Sequence, residues 1–242
     1  MTTAQSALRS IALAQPATIR VFERFHLDYC CGGSRPLAQA CSEKGIDTDE
    51  VLAAIEEATA APKPAEDFTQ ATPTELIRHI VSTHHAYVKA ELPRLLPMAA
   101  KVAAKHGPVH PEFTQVQRQL QSLATELTNH LTKEELILFP YVEALDRFRK
   151  GEGDAPHACF NTVESPIRAM MNEHENAGAL LDSMRAATRN FTPPEGACPT
   201  TVGLMDGLDA FERDLHRHVH LENNLLFPLA IELEKELAAA QK

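Results

Sequence analysis

The sequence predicts an all-α protein, an up-down-up-down four-helix bundle preceded by a small helical segment. Alternating apolar and polar runs bounded by turn residues are almost absent, helical periodicity and helix-start signals recur throughout, and short Gly/Pro breaks separate the longest helical stretches. A chain of 242 residues that is 44% hydrophobic can build a real core in one or two domains, which excludes wholesale disorder. The 23 Lys and Arg against 33 Asp and Glu leave a net charge of −10, which argues against a nucleic-acid or anionic-membrane partner. No stretch reads as a membrane span or a leading signal, so a cytoplasmic protein is expected. Five Cys, two of them adjacent, do not form the pattern of a disulfide framework and point instead to reactivity or metal contact. Twelve His exceed what an acidic soluble fold requires.

Taken in order, Pro16 opens a helix with Ile19, Phe22 and Phe25 on one side, and Ile46 to Val51 reads as a hydrophobic staple around an Asp/Glu capping box. The Pro/Ala/acidic stretch Ala60 to Ala71 has linker composition, which divides the chain into residues 1–65 and 66–242. So small an N-terminal unit is expected to lean on the larger one or on a second subunit. Thr72-Pro73-Thr74-Glu75 is a capping box that opens a first long helix to about Lys105, with Pro93 and Pro97 expected to kink or divide it. Pro111 opens a second to about Lys150, Ser165-Pro166 a third to about Asn190, and a fourth runs from about Thr200 to the end.

The second helix carries one seam, Val116, Leu120, Leu123, Leu127, His130, Glu134, Ile137 and Tyr141, and the fourth repeats it 88 residues later as Leu204, Leu208, Phe211, Leu215, His218, Glu222, Leu225 and Leu229. The first and third helices repeat at an offset of 90, Ile77, Ile80, His84 and Tyr87 against Ile167, Met170, His174 and Ala177. Glu91 falls on the first seam without explanation. Four imidazoles and two carboxylates in one core layer would cost several kcal/mol per unpaired ion. A metal pair compensates: residues four apart share a helix face, so His130 with Glu134 and His218 with Glu222 each aim two ligands inward while His84 and His174 close the site. The mixed nitrogen and oxygen donors suit iron, with zinc and manganese as alternatives. A lone seam His is commonly a hydrogen-bonded core residue, but that reading does not account for six residues repeated in register. The ferritin-like Glu-x-x-His plan is absent from the seams; its one occurrence is Glu23 to His26.

Asp28-Tyr29-Cys30-Cys31-Gly32-Gly33, followed by a bundle with His84, His130-x-x-x-Glu134, His174 and His218-x-x-x-Glu222, resembles the di-iron iron-sulfur cluster repair proteins (RIC, or ScdA/YtfE type), a hemerythrin-like family. The resemblance spans nearly the whole chain. It implies two non-haem iron ions in a carboxylate-bridged centre, a cytoplasmic role in restoring iron-sulfur proteins damaged by nitric oxide or peroxide, and often a homodimer. Oxygen-carrying hemerythrins have a further His one turn after the third-helix ligand, where this chain has Gly178, and a longer last His-to-acid spacing; both departures imply a more open, more labile site. Cys30 and Cys31 are candidates for passing iron or nitrosyl, although the same turn could be a simple Gly helix stop. Glu126 and Glu173 are candidate proton relays or parts of an iron path, or merely solvated residues. His85, His216 and His220 lie off the seams, and Cys41, Cys159 and Cys198 show no pattern. Alternatives are an enzyme that reduces nitric oxide or peroxide at the same centre, and a binding protein or sensor for NO or O2.

Overall fold

The computed structural model describes residues 2–60 and 67–240, so the expected division near residue 66 lies outside the described residues. Among them the chain is helical, with a single isolated bridge between Ala7 and Pro36. Before the break lie α1 (Leu8–Ala14), a 3-10 turn (Pro16–Thr18), α2 (Ile19–Arg24), α3 (Leu37–Lys44) and α4 (Thr48–Ala60). They enclose a small core that includes Leu8, Phe22, Tyr29, Leu37 and Val51, all fully buried. Ile46 packs against it from the start of α4, where the Asp47 carboxylate accepts from the Asp49 amide at 2.9 Å.

The bundle follows as α5 (Pro73–Ile80) and α6 (Ala86–His106), α7 (Pro111–Lys133) and α8 (Phe139–Arg149), α9 (Glu164–Ala187), and α10 (Pro199–Leu221) and α11 (Phe227–Ala240). The box around Thr72 and Glu75 forms, with both side chains bonded to the other residue's amide. Consecutive rods run antiparallel, the first packing against the second and fourth and the second against the third. Pro93 and Pro97 do not divide the first helix. Both are exposed, so the carbonyls they leave without an amide partner lie on the water side of α6.

Three rods are interrupted elsewhere, each by a π turn: Val81–His85, Glu134–Leu138 and Glu222–Leu226. A π turn takes one extra residue before the helix resumes, so every later residue shifts by one position on the helix surface. The first seam therefore continues through His85, Val88, Leu92 and Leu95, all buried, and not through Tyr87. Glu91 then falls off the seam, where it accepts from Arg94 Nε at 2.9 Å. In the second helix the buried residues at seam spacing after Glu134 include Leu138 and Val142, leaving Ile137 45% exposed; in the fourth they include Leu226 and Ala230 instead of Leu225 and Leu229. Two of the turns have a local cause in the repeated Leu-Phe-Pro: Pro140 and Pro228 lack an amide and would clash with the carbonyl four residues earlier in a regular helix. α9 has no such interruption, and its seam of Ile167, Met170, His174 and Ala177 lies as expected.

Candidate metal centre

The three π turns lie in one layer, and that layer holds the charged core. Two groups of side chains converge there. His85, Glu134, His218 and Glu222 form one and His130, Glu134, His174 and Glu222 the other, each with its ligand atoms within 4.8 Å of one another. All six residues are at most 2% exposed, and both carboxylates belong to both groups. His218 Nε2 lies 2.9 Å from Glu222 Oε1, His174 Nε2 lies 3.2 Å from Glu222 Oε2, and His130 Nε2 lies 3.3 Å from Glu134 Oε2. His85 Nε2 reaches Glu134 at 3.5 Å and Glu222 at 3.9 Å.

Five of the six residues singled out from the sequence meet in this layer. His84 does not. It is buried one position away on the same turn, with Nδ1 2.9 Å from Asp214 Oδ1 and its ring stacked on that of His218. His85 stands in the centre in its place, because the π turn inserts one residue and carries the seam past His84.

Three of the four central imidazoles are held from behind. Nδ1 of His85 pairs with Glu135 Oε1 at 2.7 Å, Nδ1 of His130 with Glu173 Oε2 at 2.9 Å, and Nδ1 of His174 with Asn223 Oδ1 at 2.9 Å, so each presents Nε2 to the centre. Lys89 anchors Glu135 and Lys133 anchors Glu173. Glu173 thus orients a central imidazole, whereas Glu126 lies on the exposed face of α7. Glu135 and Asn223 were not singled out from the sequence, although each directly follows a seam glutamate and the two are related by the same offset of 88.

The residues fit a metal pair. His85 Nε2, both Glu134 oxygens and Glu222 Oε2 are buried without a hydrogen-bond partner among the described residues, which is costly unless a cation sits between them. Charge tells the same story. Burial opposes protonation of His85, yet the Glu134 and Glu222 carboxylates hold it at about 10; at His174 burial is likewise overridden, chiefly by Glu222, to about 9. Burial opposes ionisation of Glu222, but His218, His174 and His85 hold it well below the usual carboxylate range. At His218 burial prevails and lowers the ring. The carboxylates draw protons where divalent cations would sit, so binding two cations displaces protons.

The N-terminal helices dock against this region. Arg217 grips Glu23 at 2.6 and 2.8 Å, Asn224 donates to the Tyr29 carbonyl at 3.3 Å, and the Tyr29 ring meets the edge of His220. A cavity of about 310 Å³ lies at the junction, lined by Cys30 and Cys31 from the N-terminal part and by His174 and Gly178 from α9. A Cβ added at Gly178 would meet nothing within 4 Å. The thiols lie 4.0 Å apart in a turn whose amides are gathered by Asp28. Hydrogen bonding to Cys31, then burial, holds the Cys30 thiol well above its usual range. Cys41 is buried and Cys159 exposed. Cys198 departs from the expectation that it is ordinary: it precedes α10 with Sγ 3.4 Å from Thr201 Oγ1 and 3.5 Å from His106 Nε2, contacts with Thr201 first that lower its thiol to about 6.

Residues 76–230 match the hemerythrin HHE cation binding domain, and residues 4–59 match ScdA_N, a domain of unknown function. The iron-sulfur cluster repair protein YtfE of Yersinia pestis (strain Pestoides F) is 37% identical over 227 residues, covering 93% of this chain and 96% of the relative. That of Yersinia pseudotuberculosis (serotype O:1b, strain IP 31758) matches to the same extent. The chain belongs to the hemerythrin-like iron-sulfur cluster repair family. Both family matches fall on the parts already described, ScdA_N on the N-terminal helices and the turn between α2 and α3 that carries Cys30 and Cys31, and the hemerythrin match on the rods that carry the buried centre. Among the described residues no helix is long and apolar enough to cross a membrane.

Proposed function

We propose that this chain repairs damaged iron-sulfur clusters by supplying iron from a two-iron centre held by His85, His130, Glu134, His174, His218 and Glu222. One observation supports this reading above the others. Two buried four-ligand groups share both carboxylates, and one wall of the cavity beside them carries a thiol pair. Imidazole and carboxylate donors hold Fe(II) without the selectivity of an all-thiolate site, which favours exchange over permanent retention. Cys30 and Cys31 receive iron, or iron bearing nitrosyl, on its way to a client. Nitric oxide and peroxide are the damaging agents in this reading, the cytoplasm its setting, and a homodimer its expected form.

The test is anaerobic incubation of the iron-loaded protein with a cluster protein stripped by NO, following iron location and client activity together. Recovery stoichiometric with iron lost from the bundle is expected. Recovery with all iron still in the bundle overturns the donor role.

The open cavity beside His174 and Gly178 favours a second reading, in which nitric oxide reaches the centre and is reduced there. Iron bound at the six ligands would supply the electrons, while the protein contributes orientation of the imidazoles and a confined approach. Multiple turnovers of NO with a physiological reductant favour this enzyme; one event per iron lost favours the donor.

A further inference from the structure

The Cys-Cys turn has a third potential ligand that no thiol-transfer argument requires. The Asp28 carboxylate and both sulfurs offer ligand atoms that all lie within 4.8 Å of one another, with Cys30 Sγ 3.2 Å from Asp28 Oδ1 and 4.0 Å from Cys31 Sγ. We infer that Asp28, Cys30 and Cys31 form a metal site of their own, a mononuclear position for a thiophilic divalent cation such as Fe(II), in the lining of the cavity that His174 also lines. This deepens the transfer reading, on which its purpose rests, although the site itself can exist without it.

The arrangement is built in advance. Asp28 Oδ1 accepts from the amides of Cys30 and Cys31 at 3.1 and 3.0 Å, and Oδ2 accepts from Gly32 at 2.7 Å. These bonds fix the carboxylate beside the sulfurs as partners behind a ligand do. The glycines are required by close approach: a Cβ on Gly32 would lie 2.7 Å from Asp28 Oδ2, and one on Gly33 would lie 2.4 Å from the Tyr29 carbonyl oxygen. Arg35, 3.5 Å from Asp28 Oδ2, offsets part of the charge that two thiolates and a carboxylate would place there.

Two soft sulfurs with one hard oxygen select Fe(II), Zn(II) or Co(II) over Mg(II) or Ca(II). Three protein ligands leave a fourth position of a tetrahedral cation open, the pattern of a site that exchanges. Binding is a proton exchange without redox change: one dication forms bonds to both sulfurs and the carboxylate, and the two thiol protons leave to water. The same cavity is also lined by His174, a member of the bundle centre. Metal leaving that centre past His174 would enter the cavity that the thiols line.

The probe is Co(II), added anaerobically to full-length protein, because thiolate ligation gives a charge-transfer absorption that imidazole and carboxylate ligation does not. Wild type is expected to take one equivalent beyond those bound by the bundle, with the thiolate band, and His130→Ala is expected to keep the band. Asp28→Asn, which retains an acceptor for the Cys30 and Cys31 amides, should weaken the band-forming step at least tenfold, and Cys30→Ser should abolish it. Circular dichroism and bundle metal content unchanged in both variants establish that they fold. Absence of the band in wild type overturns the site, and an unchanged affinity in Asp28→Asn removes the three-ligand assignment. Cluster recovery that needs the thiols without any band leaves the transfer reading standing and sinks this one. A band whose loss in Cys30→Ser leaves recovery intact does the reverse.

Discussion

At the scale of single residues the assignment of His85 over His84 is the sharpest claim. His84→Ala should leave the iron content near wild type, whereas His85→Ala should lose most of it, measured by metal analysis after anaerobic loading. Equal losses in both variants would contradict the shifted seam. Gly178 separates stability from access. It lies inside α9 with nothing within 4 Å of an added Cβ, so Gly178→Ala should raise unfolding stability by about 0.5–1 kcal/mol in denaturant titration, with iron binding unaltered. Cys198 provides a pH prediction. Because its thiol is lowered to about 6, alkylation at this residue should rise about tenfold between pH 5 and pH 7 and then level off, read peptide by peptide by mass spectrometry. An ordinary thiol, with a pKa of about 8.5, would climb about a hundredfold over that interval and continue upward.

At the scale of elements, the π turns explain what could and could not be seen in the sequence. The two core glutamates, three of the four central histidines and the hairpin repeat were legible because seam spacing upstream of each π turn, and along all of α9, is regular. His85, Leu138 and Leu226 were not, since periodicity alone assumes an unbroken α-helix and a π turn moves everything after it by one residue. Val88, Leu92 and Leu95 stand 3, 7 and 10 residues after His85 but also 4, 8 and 11 after His84, all same-face spacings, so they do not separate the two; the signal was present only at the other two turns, in Pro140 and Pro228 after the two glutamates. This makes a deletion test possible. Removing exposed Ser82 should convert the first π turn into an ordinary turn and keep Ile80 and His85 on one seam, so two metals should still bind. Removing exposed Asn172 from uninterrupted α9 should rotate its two flanks by about 100° relative to one another and lose metal. Loss in the Ser82 deletion with retention in the other would refute the register argument.

At the scale of the whole molecule, the position of the N-terminal helices decides whether thiols and bundle can act together. Arg217, about half exposed, is the guanidinium partner of Glu23, whose side chain is only 6% exposed. Arg217→Ala should leave that carboxylate shielded from water and without its cation, held only by the Tyr29 hydroxyl at 3.4 Å, costing about 1–2 kcal/mol after allowance for the exposure of the arginine. Amide exchange in α2 and around Cys30 should accelerate, and exchange in α9 should not. Uniform exchange rates would show that the pair does not hold the junction. By itself the sequence determined the helical class, the duplicated hairpin, five of the six residues that meet in the central layer and the Cys-Cys turn, because each is a matter of local spacing or residue type. Only the tertiary structure decided that His85 replaces His84, that Glu135, Glu173 and Asn223 stand behind the imidazoles, and that Asp28 and the thiols share a cavity with His174. Those relations depend on helix register after a π turn and on how separate segments pack, and neither is encoded in the period of any one helix.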